Sequence, residues 1–146
     1  MPLEPKATDV IAIQDLVASY AEHYDRFESE KWARTFTPEG VFVRALPGVS
    51  SVGGYEDLVA FADKSFALIK TVAHLMSTSR VFNITDTSAS GYAYCHAMGT
   101  FKNGGRFALV ARYDDDYAHT EDGWKFVRRT ETQILEPELE GFDPEH

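Results

Sequence analysis

The chain predicts an α+β fold in which N-terminal helices pack in a curved, mainly antiparallel sheet. Apolar residues in the first half recur at three-and-four spacing, the helical period, whereas the second half alternates with period two between turn-forming segments. Helices precede strands instead of alternating with them, which argues against a parallel βαβ sheet. A meander following helices can wrap them, and a cavity then lies between helix and sheet. The 146 residues, 44% apolar and 13% aromatic, fit one domain spanning 1–146, with 136–146 an acidic tail.

From Asp9 to Tyr24 the set Val10, Ile13, Leu16, Val17, Tyr20 and Tyr24 lines one helix face, with Asp9 as N-cap. A second short helix starts near Ser29, with Trp32 and Phe36 four apart, and Thr37-Pro38-Glu39-Gly40 stops it. Val41 to Leu46 reads as a strand, Pro47-Gly48 as a turn, and Val49 to Val52 as a weaker partner. After Gly53-Gly54 a third helix carries Tyr55, Leu58, Val59, Ala62, Phe66 and Ile69 inward. Four hairpin-connected strands follow, at His74 to Ile84, Gly91 to Phe101, Arg106 to Tyr117 and Trp124 to Leu135. The tail, 136–146, carries too few apolar residues for a stable helix. It is read as a cover for the cavity mouth, a contact to a neighbouring subunit or a mobile end.

The net charge of -9, and the absence of a basic run longer than Arg128-Arg129, argue against nucleic acid and anionic membrane as partners. No apolar stretch reaches the roughly 18 residues of a membrane span. The opening Met1-Pro2-Leu3-Glu4-Pro5-Lys6 lacks a signal-peptide core, so the expected location is cytoplasmic. Cys95, the sole cysteine, reads as a buried apolar thiol. The histidines show no metal-ligand spacing, and neither a metal nor an organic cofactor is expected.

The chemistry rests on Asp25, at the C-terminal edge of the first helix, and His74, where the stranded half opens. A carboxylate accepting the proton of one imidazole nitrogen fixes the tautomer, frees the other nitrogen as a base and stabilises the imidazolium formed. The implied chemistry is proton abstraction. Without such a partner, a histidine on the apolar run His74-Leu75-Met76 would read as structural. Strand parity puts Ala93, Cys95, Ala97 and Gly99 on the cavity face and Tyr92, Tyr94, His96 and Met98 on the other, leaving room for a bicyclic or larger ligand. His96 stays a second candidate only if a bulge inverts that parity. The outer Tyr92, Tyr94 and Met98 suit a subunit interface.

The order and spacing of Ile13-Gln14-Asp15-Leu16, Tyr24-Asp25 with Trp32, His74, Ala89-Ser90-Gly91, and Tyr117 ahead of Trp124-Lys125-Phe126 resemble the SnoaL-like branch of the NTF2-like superfamily. That branch includes scytalone dehydratases and hexachlorocyclohexane dehydrochlorinases, and the resemblance covers about Asp9 to Leu135. It implies a cone-shaped α+β barrel with Asp25 and His74 as the catalytic dyad. It also implies Tyr20, Tyr24 and Arg129 as residues that orient substrate or hold a departing oxygen, and Tyr113 is counted with them. The dehydrochlorinases carry a lysine at position 20, so Tyr20 speaks against halide elimination and suits an oxygen leaving group or an enolate oxygen. Ketosteroid isomerases of this fold carry an aspartate base on the first strand, where this chain reads Val41-Phe42-Val43-Arg44-Ala45. The expected activity is a cofactor-independent lyase of dehydratase type on a small cyclic or polyketide-like molecule. An isomerase or polyketide cyclase using the same proton abstraction remains open. So does a non-catalytic ligand-binding or assembly protein like the small subunits of ring-hydroxylating dioxygenases. Family members are commonly homodimers or homotrimers.

Overall fold

The structure, a computed structural model, describes residues 6–45, 49–135 and 138–140. Its elements run α1 (Ala7–Asp25), α2 (Ser29–Ala33), β1 (Phe36–Arg44), β2 (Ser50–Gly53), α3 (Tyr55–Phe66), β3 (Ile69–Phe82), β4 (Ser88–Phe101), β5 (Arg106–Thr120), β6 (Gly123–Gln133) and β7 (Glu138–Glu140). The sheet order is β2-β1-β6-β5-β4-β3, with β7 pairing to β5 beyond the end of β6. Among the described residues only the β1–β6 contact is parallel, so the expected meander of β3 to β6 is present and β1 closes onto its last strand. This is an α+β cone, the architecture that the resemblance implies.

α1 buries Ile13, Leu16, Val17, Tyr20, Ala21 and Tyr24, the stripe that the helical spacing requires. One buried cluster joins that stripe to Trp32 of α2, Phe36 and Phe42 of β1, Leu58 and Ala62 of α3, and the inward residues of β4, β5 and β6. Tyr20 sits at its centre, its ring within 6.2 Å of the rings of Trp32, Phe36, Tyr113 and Phe126.

Several local expectations are corrected. Asp9 is not a cap: Lys6 is the N-cap residue, and the Asp9 carboxylate accepts from the Trp124 indole N–H at 3.2 Å, tying α1 to β6. α2 does start at Ser29, with Glu28 as its N-cap residue. Thr37-Pro38-Glu39-Gly40 does not end a helix but lies within β1, as an excursion between the Phe36↔Phe126 and Val41↔Arg128 pairs. Gly40 is required there, because a Cβ would come within 2.8 Å of Phe36 Cβ and 2.9 Å of the Phe126 carbonyl. β3 begins at Ile69, before the expected His74, so Ile69 is a strand residue and not the last apolar residue of α3. Pro47-Gly48 and 141–146 lie outside the described residues.

One irregularity sets the orientation of β6. Strict alternation from Trp124 and Phe126 would turn Arg128 inward. The pairing with β5 instead slips between Asp116 and Tyr117, leaving Val127 as the extra residue, so Val127 and Arg128 are both exposed and Arg129 turns in. Everything after the bulge inherits that parity, including Glu131, which is buried.

Candidate active site

α1 stops where its last side chain is needed. Arg26 caps it, and Phe27 takes a left-handed φ of 59°, a conformation costly for a residue with a Cβ. Phe27 is held by an edge contact of its ring with Phe66, 5.0 Å between centroids. The turn leaves Asp25 under β3. Its Oδ2 accepts from the backbone N–H of His74 at 2.8 Å, and its Oδ1 lies 2.6 Å from His74 Nδ1. An ionised carboxylate only accepts, so Nδ1 carries the proton and Nε2 is the available base. The Tyr24 ring meets the imidazole edge-on at 5.1 Å.

His74 and Tyr24 line a cavity of about 240 Å³ between α1, α3 and the concave sheet. Asp25 stands behind His74 and is not part of the wall. The lining is largely apolar, from Leu68, Ile69 and Val72 through Phe101, Phe107 and Leu109, with Ser65, Arg44, Tyr113, Glu131 and Gln133 as its other polar members. The volume is below the ~300–1,000 Å³ usual for ligand pockets and suits one compact ring system, up to a fused bicycle but not the still larger ligands that the small residues of β4 also left room for. Of those small residues only Ala97 reaches the cavity, while Ala93 and Cys95 back the aromatic cluster. Gly99 leaves no vacancy either: a Cβ there would come within 2.7 Å of the Phe107 ring. A wider groove of about 480 Å³, lined by Arg34, Thr37, Tyr55 and Lys125 among others, lies away from the dyad.

The structure corrects two substrate-binding assignments. Tyr20 and Arg129 point inward, yet neither lines the cavity. Arg129 is fully buried beneath it, donating from Nε to Asp115 Oδ1 at 2.8 Å and from an Nη to Oδ2 at 3.1 Å. Its guanidinium lies 4.2 Å from the ring centroids of Tyr20 and Tyr113 and 4.3 Å from that of Phe126. Burial opposes its charge, and the Asp115 carboxylate outweighs that, so the guanidinium is held protonated more firmly than usual. Tyr117 completes the network, its hydroxyl donating to Asp115 at 2.9 Å. Burial likewise pushes the Tyr20 phenol well above its ordinary range and the Cys95 thiol up to about 12, so neither ionises near neutrality.

His96 is not brought to the site: it is exposed on the outer face of β4 with Tyr92, Tyr94 and Met98, the side that strand parity gave it. Tyr113 does line the cavity and donates to Glu131 Oε2 at 3.1 Å, its own ionisation suppressed by burial. The Arg44 Nε is 3.3 Å from Glu131 Oε1. Arg44, Glu131, Gln133 and Ser65 were missed in the sequence, and for Glu131 and Gln133 the reason is the Val127 bulge. Asp115 hides within Asp114-Asp115-Asp116, which reads as a surface acid run. Its signal was parity, since it alternates with Tyr113 and Tyr117. Among the described residues no three His, Cys, Asp or Glu side chains gather as a metal site.

The fold and the site define a small α+β cone with a histidine–carboxylate pair in the wall of a mostly apolar cavity. The chain belongs to the SnoaL-like domain family, whose sequence model matches residues 5–130. Among curated relatives, the uncharacterised protein Rv2910c of Mycobacterium tuberculosis is 27% identical over 132 residues, 88% of each chain. Among solved structures, a candidate aromatic ring hydroxylase from Novosphingobium aromaticivorans matches at 28% identity with a TM-score of 0.88, covering 93% of this chain and 96% of that one. A candidate scytalone dehydratase from the same organism matches at 17% identity and a TM-score of 0.81, covering 90% and 87%. A hexachlorocyclohexane dehydrochlorinase, LinA type 2, matches at 16% identity and 0.80, covering 94% of both chains. The last two are likenesses of fold.

Proposed function

We propose that the protein is a cofactor-independent lyase, of dehydratase type, acting on a small cyclic or polyketide-like molecule. The observation that carries this reading is the double grip of Asp25 on His74, through the backbone N–H at 2.8 Å and Nδ1 at 2.6 Å. With Nδ1 occupied, Nε2 takes a C–H proton from the ligand and Asp25 stabilises the imidazolium. In the elimination, the C–H electron pair becomes the new C=C bond as a β-oxygen departs, leaving as water once it has gained a proton. Isomerisation and cyclisation share the first half of this step and differ in what the carbanion does next. Tyr24 and Tyr113 orient the ring from the cavity wall. The enzyme works in the cytoplasm as a homodimer or homotrimer, the outer face of Tyr92, Tyr94 and Met98 forming the subunit contact. Two neighbours in fold are named for eliminations, one for loss of water and one for loss of hydrogen chloride, which supports the class but not the substrate.

A panel of cyclic β-hydroxy ketones, followed by mass spectrometry for loss of water, tests the proposal. His74→Ala should lower turnover about 100- to 10,000-fold without altering near-ultraviolet circular dichroism. Full activity in that variant overturns it. A second reading draws on the neighbour named as a candidate aromatic ring hydroxylase: a non-catalytic ligand-binding or assembly subunit of a ring-hydroxylating system. Co-purification with a large iron–sulfur subunit would favour it.

A further inference from the structure

We propose that Arg44, held by Glu131, receives the negative oxygen formed when His74 takes its proton. The ligands of this cavity are then compact carbonyl compounds with an acidic C–H beside the carbonyl. The inference rests on the reading of His74 as a base and supplies what that reading lacks. Proton abstraction beside a carbonyl moves the C–H pair into a C=C bond and the carbonyl π pair onto oxygen, so an electrophile must meet that oxygen. The arginine assigned to the task by family resemblance, Arg129, is fully buried and committed to Asp115. Arg44 does line the cavity.

Its placement suits the role. β1 and β3 stand on opposite flanks of the sheet, with β6, β5 and β4 between them, so Arg44 and His74 face the cavity from its two sides. A ligand spanning the cavity would put its C–H at one and its oxygen at the other. The Arg44 guanidinium is braced over the rings of Phe61 and Phe42, at 5.4 and 5.9 Å from their centroids. Glu131 lies 3.3 Å from Nε, but the alignment is too poor for a hydrogen bond, and among the described residues this buried Nε–H has no acceptor. The side chain as a whole is accessible, so the terminal N–H groups of its guanidinium are the ones that can meet a ligand oxygen. Glu131 also accepts from Tyr113, which fixes the carboxylate and so the guanidinium beside it. The carboxylate keeps the empty cavity near neutral, so an oxygen that becomes charged only during the reaction is favoured over a permanent anion.

Two probes test this on the full chain. The first is 2-naphthol, whose ionised oxygen resembles an enolate and whose ionisation is read by absorbance. The wild type should bind it and make it at least tenfold more acidic than in water. Arg44→Gln should remove most of that gain, and Arg44→Lys should restore part of it, since lysine keeps the charge without the planar fork. The second is proton exchange beside the carbonyl of 2-tetralone in deuterated water, read by NMR. The wild type should accelerate exchange, and Arg44→Gln should lower that acceleration about 100- to 1,000-fold. Circular dichroism verifies that Arg44→Gln folds, as expected for a side chain 42% exposed. Failure of the wild type to bind naphthol at millimolar concentration, or bound naphthol no more acidic in wild type than in Arg44→Gln, overturns the inference. If Arg44→Gln changes naphthol acidity while the wild type exchanges no tetralone protons, the oxygen site stands and His74 as base falls. If His74→Ala abolishes exchange and Arg44→Gln does not affect it, the base stands and the role of Arg44 falls.

Discussion

Replacing Arg129 by methionine distinguishes a structural arginine from a substrate-binding one. In the native protein neither partner of the Arg129–Asp115 pair has an exposed side chain, and three aromatic rings enclose the guanidinium. Removing the arginine leaves the Asp115 carboxylate buried, with the Tyr117 hydroxyl as its remaining hydrogen-bond donor among the described side chains. Breaking a buried pair in this way costs about 3–5 kcal/mol, a large share of the ~5–15 kcal/mol that stabilises a typical domain. At ~2 kcal/mol per molar urea, the unfolding midpoint should fall by about 1.5–2.5 M. Asp115→Leu combined with Arg129→Met should recover about half or more of the loss, because replacing both charges with apolar groups removes the stranded carboxylate. Urea titration followed by the fluorescence of Trp32 and Trp124 reads both numbers. A midpoint shift below about 0.5 M for Arg129→Met, together with lost ligand binding, would refute the structural role and return Arg129 to the cavity.

Asp25→Asn should keep the fold but loosen the His74 tautomer. Nitrogen NMR should find the wild-type proton on Nδ1 and a mixture in the variant, and a wild-type ring protonated on Nε2 would contradict the dyad. Gly99→Ala should destabilise by several kcal/mol or fail to fold, since the new methyl would meet the Thr71 carbonyl and the Phe107 ring; thermal melting decides, and an unchanged midpoint would mean that β3 and β5 stand further from β4. Burial raises the folded-state ionisation of Tyr20, Tyr113 and Tyr117 above the ordinary value near 10. Above that pH the unfolded chain releases protons that the native chain keeps, so their contribution is complete below about pH 10 and is lost as pH rises, by up to about 1.4 kcal/mol per phenol per pH unit. Stability measured by urea titration that stays flat from about pH 9 to 11.5 would refute the buried placement of these hydroxyls.

The fold was legible because its elements follow the two regular periods. The stripe of α1, the turns between β3 and β6, and the inward parity of Ala93, Cys95 and Ala97 need only alternation and turn chemistry. The Asp25–His74 pair was legible because a carboxylate at a helix end and an imidazole on a strand invite pairing when the sheet wraps the helix. What the sequence hid lies after irregularities. The Val127 bulge turns Glu131 and Gln133 inward, against the parity of Trp124 and Phe126, and the excursion around Gly40 turns an apparent stop signal into strand. Asp9 shows the same limit in a helix: its type favours a cap, but a tertiary acceptor for the Trp124 indole prevails.

The end of α1 breaks two local rules at once, and the site supplies the reason. A carboxylate in the last turn opposes the helix dipole, at about 0.3–1 kcal/mol, and a left-handed phenylalanine costs about 1–2 kcal/mol. Neither choice helps an isolated helix. Both follow if Asp25 must present its two oxygens to the backbone and the ring of one strand residue, because only an abrupt end to the helix puts that carboxylate behind His74 instead of in the core. The Phe27–Phe66 contact and the two hydrogen bonds to His74 offset these local penalties, and Phe66 belongs to α3, whose end borders the cavity. The network beneath serves another end: Arg129, Asp115 and Tyr117 bind one another inside the core, at the cost of one Arg129 Nη left without an acceptor among the described residues. The local penalties at Asp25 and Phe27 therefore serve to set a carboxylate behind His74, whereas the buried charge pair beneath serves to hold the cone together.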